Sequence, residues 1–448
     1  MSKDLTDFFA QEEVEKIARE TGFVNRTSNK LGGFTFLTSL LYCDFDQSQL
    51  SLNDLSAQIR DKWDIVLTKQ ALQERFSDRS VEFMKHLLSL LLKKIITSMP
   101  SINILSSFNS LRIKDSTCFQ IPECMSEKYP GTGGCSSKAM IRIQFEFDYK
   151  TGRVYDLSLH AFNCNDQINS KATIDNIHSG DVIIRDLGYV NIEVLSSIES
   201  KDAFYLNRLH SSINVYELKH GKYELVNFVK IQSDLRKRRL SSIEKEVYIG
   251  SNIKFKTRMI IELMPKEQIE KRLVNMAKIS KKKGCTTSKK HKARVALNIF
   301  ITNLNSEHLP LEQVRSLYRL RWQIELVFKV WKSVVNIDKV KKVKTQRLET
   351  ILYSKLIMIM INWNIMWEIT KSIWQQHKKM ISPIKFFKTL KSLTYKSWMA
   401  FKEGCNSLAE FIMQLNCMSI KNHILEKRKG QLSAVEIQIV FCVKQNLH

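Results

Sequence analysis

The chain has 448 residues, 44% of them hydrophobic, so it has room for two to four globular domains and a sizeable core, and an intrinsically disordered chain is excluded. Lys and Arg number 70 against 45 Asp and Glu, a formal charge of +25, which calls for a polyanionic partner: nucleic acid or an anionic membrane. The membrane reading is weak, because the longest apolar run, Leu356–Ile361, falls short of the about 20 residues a span needs and reads as a buried core helix, and nine cysteines, an odd number without a CxxC pair, fit reduced thiols better than a disulfide framework or a zinc site.

The opening residues, MSKDLTDFFAQEE, are acidic and lack an apolar h-region, so no signal peptide is expected and a cytoplasmic protein is. Residues 1–105 read as a helical N-terminal region. Ser51 caps a helix carrying Leu52, Leu55 and Ile59, and Thr68 caps another carrying Ala71, Leu72 and Phe76. The short link between them suits a helix-turn-helix that binds DNA, though any small helical bundle gives the same pattern. Residues 106–208 change texture. Leu111–Asp115, Met140–Phe147 and Val154–Leu159 alternate with period two, and Val182–Asp186 is an apolar run ending in an acid. Helical stretches near 170–178 and 190–199 and a strand at Ala203–Arg208 complete an α/β layer.

Residues 209–294 read as a β-rich basic insertion, with strands at Tyr223–Val229, Glu246–Ile249 and Lys254–Met264. A basic stretch at 266–294 follows, including Lys281, Lys282 and Lys283; it is either a solvated loop or a DNA contact. Residues 295–370 begin with a strand at Val295–Thr302, and Pro310 then opens one long helix through about Ile337. Residues 371–448 read as helical, a candidate dimerisation region.

The most informative segment is Tyr318–Lys332. On a helix of about 100° per residue, Tyr318, Arg321, Glu325 and Lys332 fall within an arc of about 60°. Leu317, Leu320, Ile324, Val327, Phe328 and Trp331 form the neighbouring apolar stripe, and Trp322 is expected to pack. A carboxylate flanked by two cations suits a metal next to phosphates; an ordinary solvated charged border with an Arg321–Glu325 pair is the plainer account. Asp115 and Asp186 each end or interrupt a hydrophobic strand, where a charge is costly unless compensated. With Glu325 they would give oxygen-only ligands suited to a hard cation. Asp148, Asp166 and Asp181 sit in similar settings, and the residues alone do not choose among them. Gly131-Thr-Gly-Gly134 lacks the Gly-Lys-Ser/Thr ending of a nucleotide loop and reads as a turn.

The spacing Tyr318-x2-Arg321-x3-Glu325-x6-Lys332 resembles the YREK signature of bacterial insertion-sequence transposases of the IS-four family. Asp115-Ser-Thr, Tyr129–Gly134, Asp186-Leu-Gly-Tyr189, Tyr205-x2-Arg208 and Thr302-Asn-Leu304 resemble that family's other motifs in the same order, over roughly residues 30 to 370. The resemblance implies an RNase H-like mixed-sheet core, with Asp115, Asp186 and Glu325 binding Mg²⁺, as two ions, or Mn²⁺ in its place. It implies hydrolysis at the inverted-repeat ends of a DNA element and strand transfer into target DNA, in a protein dimer. Tyr318, Arg321, Lys332 and Arg208 are then expected on the end DNA. Asn298 stands where related enzymes carry a Trp that stacks on a flipped base, so a hairpin step is the less supported part of the resemblance. A catalytically inactive DNA-binding relic and a nuclease without strand transfer are the competing expectations.

Overall fold

The computed structural model describes residues 2–25, 31–42, 51–95, 108–132, 138–282, 284, 286 and 288–426. Helices α1 (Ser2–Phe8), α2 (Gln11–Glu20), α3 (Gly33–Tyr42), α4 (Leu52–Trp63), α5 (Lys69–Arg75) and α6 (Asp78–Ile95) precede strands β1 (Ser110–Gln120), β2 (Met140–Asp148) and β3 (Val154–Ala161). Then come α7 (Asp166–Ala172), β4 (Asp181–Arg185), α8 (Ile192–Glu199), β5 (Phe204–Arg208), β6 (Val215–Lys219), β7 (Lys222–Leu225), α9 (Phe228–Lys237), β8 (Ser242–Ile249) and β9 (Phe255–Leu263). The chain continues through α10 (Lys266–Lys282), α11 (Lys289–Val295), β10 (Leu297–Thr302), α12 (Leu311–Arg319), α13 (Gln323–Ser333), α14 (Thr345–His377), α15 (Pro383–Ser392), α16 (Thr394–Glu403) and α17 (Cys405–Asn422). The described residues form two units, one of those within 1–104, 117–163 and 323–426, the other of those within 108–116 and 164–322.

The first unit is built on α14. Leu356–Ile361 lies inside this helix, which is buried along most of its length, polar residues such as Lys355 and Asn362 included. Its partner α6 carries Ser80, whose hydroxyl meets that of Thr350 at 2.8 Å. Strands β2 and β3 pair antiparallel, and Phe145 and Phe147 of β2 meet Trp331 of α13 and Trp363 of α14 at ring distances of 5.0 to 5.7 Å. Glu349 is buried on α14 and is held by the Lys128 ammonium, at 2.7 Å, and by the Tyr129 hydroxyl. The caps foreseen at Ser51 and Thr68 are present: Ser51 and Asp54 cap α4 reciprocally, and Thr68 accepts from the Ala71 amide on α5. Among the described residues no helix is long and apolar enough to cross a membrane.

In the second unit the sheet order is β1-β4-β5-β10-β9-β8-β6-β7. β1, β4 and β5 run parallel; β10 turns the sheet antiparallel toward β9, β8, β6 and β7. Parallel strands buried on both faces need near-continuous apolar runs, as Val182–Ile184 supplies. β1 crosses from this unit into the first, where β2 and then β3 follow it.

Three expectations change. The insertion is not only strands: α9 occupies part of the expected strand at Tyr223–Val229 and beyond, because Phe228, Ile231 and Leu235 recur at helical spacing and bury one face. The basic stretch at 266–294 is mostly helix, in α10 and α11, rather than loop. The long helix after Pro310 is broken, since α12 ends at Arg319 and a 3₁₀ turn at Leu320–Trp322 precedes α13. Each 3₁₀ residue advances about 120° instead of about 100°, so the single arc drawn from Tyr318 to Lys332 does not carry through. The apolar stripe is buried as expected, but Trp322 is exposed. Lys283, Gly133, Gly134 and residues 427–448 lie outside the described residues.

Gly152, at φ +78°, has no room for a side chain: a Cβ there would lie 2.3 Å from the Trp367 ring, and its carbonyl accepts from Trp363 Nε1 at 2.8 Å. Gly221, at φ +74° in the β6–β7 turn, faces open space. Gly152→Ala is expected to cost about 3 kcal/mol, strain plus overpacking, and Gly221→Ala about 1 kcal/mol, strain alone. Denaturant unfolding of the two variants checks the difference; equal losses would contradict this packing.

Candidate active site

Strand register builds the site. β1 and β4 are paired in parallel up to Lys114↔Arg185, and the next residue on each chain is Asp115 and Asp186. β4 and β5 pair up to Arg185↔Asn207, so Arg208 is next in the same row. Three neighbouring parallel strands therefore present two acids and a guanidinium along one line. Asp115 interrupts its strand, sitting midway along β1; Asp186 lies one residue past β4 and opens a 3₁₀ turn, Leu187–Tyr189.

Buried cations anchor this row from the opposite face. Arg112 and Lys114 alternate with Asp115 on β1, and Arg185 adjoins Asp186; all three are at most 1% exposed. Arg112 pairs with Asp181 at 3.4 Å, Lys114 donates to Thr173 Oγ1 at 2.9 Å, and Arg185 donates to the Ser170 hydroxyl. These bonds tie the α7 end and the following turn to the sheet. Ion pairs this deep are poor stabilisers, because desolvation offsets their attraction. Their effect here is to fix geometry behind the acids.

The structure separates the competing acids. Asp181 is committed to Arg112 and to the Ser110 hydroxyl. Asp148 closes a turn, accepting from the Lys150 amide and the Thr151 hydroxyl. Asp166, on α7, instead reaches the site: it accepts from Ser116 Oγ at 2.9 Å, while the Ser116 amide donates to Asp115 at 2.8 Å. Gly188 leaves Asp166 its space, since a Cβ there would stand 3.1 Å from the carboxylate.

Arg321 and Tyr318 join the two acids. Arg321 Nη1 lies 3.0 Å from Asp115 and its Nε 3.9 Å from Asp186, and the Tyr318 hydroxyl donates to Asp186 at 3.2 Å. Burial pushes Asp115 up to about 6; the Ser116 amide and Arg321 pull it down, and Asp186 and Asp166 push it up again. Tyr318 is raised by burial and by Asp186, so it stays a protonated donor.

A second group continues from Arg208. Asn298 Oδ1 accepts from Arg272 at 3.2 Å and from Arg208 at 3.5 Å, and Arg315 lies 3.9 Å from Glu262, the cross-strand partner of Asn298. Burial, then Arg208 and Arg315, lower Arg272. Asn298 thus serves as a hub for arginines. Sequence reading missed Arg272 and Arg315, since the first lay in an apparent loop and the second in a charged helix border.

Glu325 and Lys332 belong to α13 in the first unit. Glu325 is half-buried in the first turn, and Lys332 donates to the Cys118 carbonyl at 3.1 Å. Lys281 and Lys282 are exposed at the end of α10.

Among the described residues no group of three or more His, Cys, Asp and Glu side chains stands ready to hold a metal. The Asp115–Asp186 pair still fits a hard divalent cation. Its donors are all oxygen, and a guanidinium already lies against both carboxylates, so the place accepts a cation.

A pH dependence follows. The folded chain holds the Asp115 proton more tightly than the unfolded chain, where the value is near 3.8. That contribution is complete below about pH 4 and is lost as pH rises through about 6. In chelator, from pH 4 to 7, the wild type should lose roughly 3 kcal/mol of stability relative to Asp115→Asn, read from denaturant midpoints. Parallel pH curves would contradict it.

Residues 106–361 match the family model described as the transposase DDE domain. The transposase for insertion sequence element IS231F of Bacillus thuringiensis subsp. israelensis is 33% identical over 445 residues, covering 95% of this chain and 93% of that one. The transposase for IS1151 of Clostridium perfringens is 30% identical over 409 residues, covering 87% and 85%. Among solved structures, piggyBac transposase in a synaptic complex with hairpin DNA matches at 12% identity and a TM-score of 0.49, over 97% of this chain and 87% of that one, too slight a likeness to argue from. The family match spans both aspartates and the whole Tyr318–Lys332 signature, and the chain belongs to the DDE transposases of bacterial insertion sequences.

Proposed function

We propose that this cut-and-paste DNA transposase breaks and joins phosphodiester bonds with Asp115, Asp186 and Glu325 as its acidic triad. The observation that carries the reading is the placement of Asp115 and Asp186 level on adjacent parallel strands, with one guanidinium reaching both carboxylates. Asp115, Asp186 and Glu325 would hold Mg²⁺, as two ions, with Mn²⁺ as a substitute. Bound there, the ions supply Lewis-acid stabilisation of the attacking and leaving oxygens.

The residues divide the remaining work. Asp115 is fixed by the Ser116 amide, and Asp186 by the Tyr318 hydroxyl, so both carboxylates are oriented before DNA arrives. In the first step a water oxygen bonds to phosphorus at the element end, and the P–O bond to the 3′ oxygen breaks, freeing a 3′-hydroxyl. In strand transfer that hydroxyl attacks a target phosphate; one P–O bond again forms and one breaks. Arg321, Lys332 and Arg208 hold the flanking phosphates with Tyr318, as charge-assisted donors. Arg272 and Arg315 extend the same grip, and Lys281 and Lys282 add exposed charge. The substrate is duplex DNA at the element's inverted repeats, then target DNA, in the bacterial cytoplasm. The working form is a homodimer to which residues 371–448 contribute, and α4 and α5 contact the ends.

Glu325→Gln tests the triad. Cleavage of a plasmid carrying the element's ends should fall by about 10³-fold or more, with gel-shift affinity nearly unchanged. Joined products under Mg²⁺ from the wild type separate a transposase from a nuclease that only cuts. Retained cleavage in the variant would remove Glu325 from the triad.

Arg272→Ala tests the arginine group. DNA affinity should weaken across all sequences, and the slope of log affinity against log salt should fall by about 1. An unchanged slope would place Arg272 off the DNA.

A further inference from the structure

The Arg321 guanidinium lies where a cation is needed. It is 3.0 Å from Asp115 and 3.9 Å from Asp186, and its side chain is only 15% exposed. Asp166 adds a third negative charge through Ser116. Two carboxylates in a row, half withdrawn from water, repel one another unless a positive group stands between them. One delocalised charge leaves that need partly unmet, whereas a divalent ion meets it more fully.

The backbone marks the same place. The helix carrying Tyr318 is interrupted at Leu320–Trp322, with neither Pro nor Gly in the turn. A 3₁₀ segment inside a helical run often marks a hinge. Here the turn contains Arg321 itself, so a small change in winding moves the guanidinium relative to the carboxylates.

We infer that Arg321 is a placeholder: it positions Asp115 and Asp186 in the metal-free enzyme, and divalent metal and Arg321 compete for the same two carboxylates. The inference rests on these two acids being the metal-binding pair. Its consequence is an order of events. Metal loading drives the guanidinium off the carboxylates and makes it available to a DNA phosphate. Conversely, any anion that takes Arg321 raises metal affinity, because linkage is reciprocal. Arg321 is then a positioning residue before the DNA grip, and the two roles exclude each other in time.

The test is Mn²⁺ binding to the full-length protein without DNA, read from the paramagnetic resonance signal of free Mn²⁺. Removing a site cation should strengthen binding: Arg321→Met should bind Mn²⁺ about tenfold more tightly than the wild type. Arg321→Lys, which retains one charge without the fork, should fall between them. In chelator Arg321→Met should melt below the wild type, and Mn²⁺ should raise its melting temperature by more. Equal or weaker Mn²⁺ binding by both variants would overturn the inference. If Asp115→Asn left Mn²⁺ binding intact in the wild-type background, the ion would sit elsewhere, and the metal-pair reading would fail with it. If Asp115→Asn abolished binding while Arg321→Met changed nothing, only the placeholder would fall. Should Arg321→Met not fold, the Arg321→Lys affinity alone decides.

Discussion

Two carboxylates drawn partly out of water and placed level on neighbouring strands are the constraint around which this chain is organised. Such a pair is unfavourable in an apolar protein, and several local features answer it. The Ser116 amide holds one oxygen of Asp115, the Tyr318 hydroxyl one oxygen of Asp186, and Arg321 reaches both. Buried Arg112, Lys114 and Arg185 fix the strands from behind. None of these contacts is a cheap route to stability. They become intelligible when the site is kept for a reaction on phosphates, where preorganised charge is worth more than it is in water.

The second unit carries this arrangement outward. Because β4 and β5 are parallel, the row continues from the acids to Arg208, and the antiparallel β10 and β9 bring in Asn298 and Glu262. α10 then adds Arg272 and α12 adds Arg315. A single sheet edge thus runs from negative to positive. The insertion, with its helices and strands, supplies part of this edge and is not merely a spacer between motifs.

Much of this was legible in the sequence, for physical reasons. Val182–Ile184 before Asp186 could only be a buried strand, and the apolar stripe from Leu317 to Trp331 could only be a packed helical face; both are. The 3₁₀ break stayed hidden because Leu317, Leu320, Ile324 and Val327 keep helical spacing straight through it. Trp322 was expected to pack for its size alone; a single helix phase already sets it away from the apolar stripe, and it is exposed. Choosing Asp115 and Asp186 over Asp148 and Asp181 needed strand register and partners far away in the chain. No local pattern distinguishes an acid paired with a buried arginine from an acid awaiting a cation. Arg272 was missed because the charge of the basic run was read ahead of its pattern: Ile269, Leu273 and Met276 recur at helical spacing, and α10 is the helix they mark.

The central claim is that Asp115 and Asp186 form the cation-binding pair of the reaction. The most direct measurement is anomalous diffraction from crystals grown with Mn²⁺. The account predicts a manganese peak bounded by carboxylate oxygens of Asp115 and Asp186, with the Arg321 guanidinium displaced from both. Ordered manganese elsewhere, with Arg321 still bridging the two acids, would contradict it.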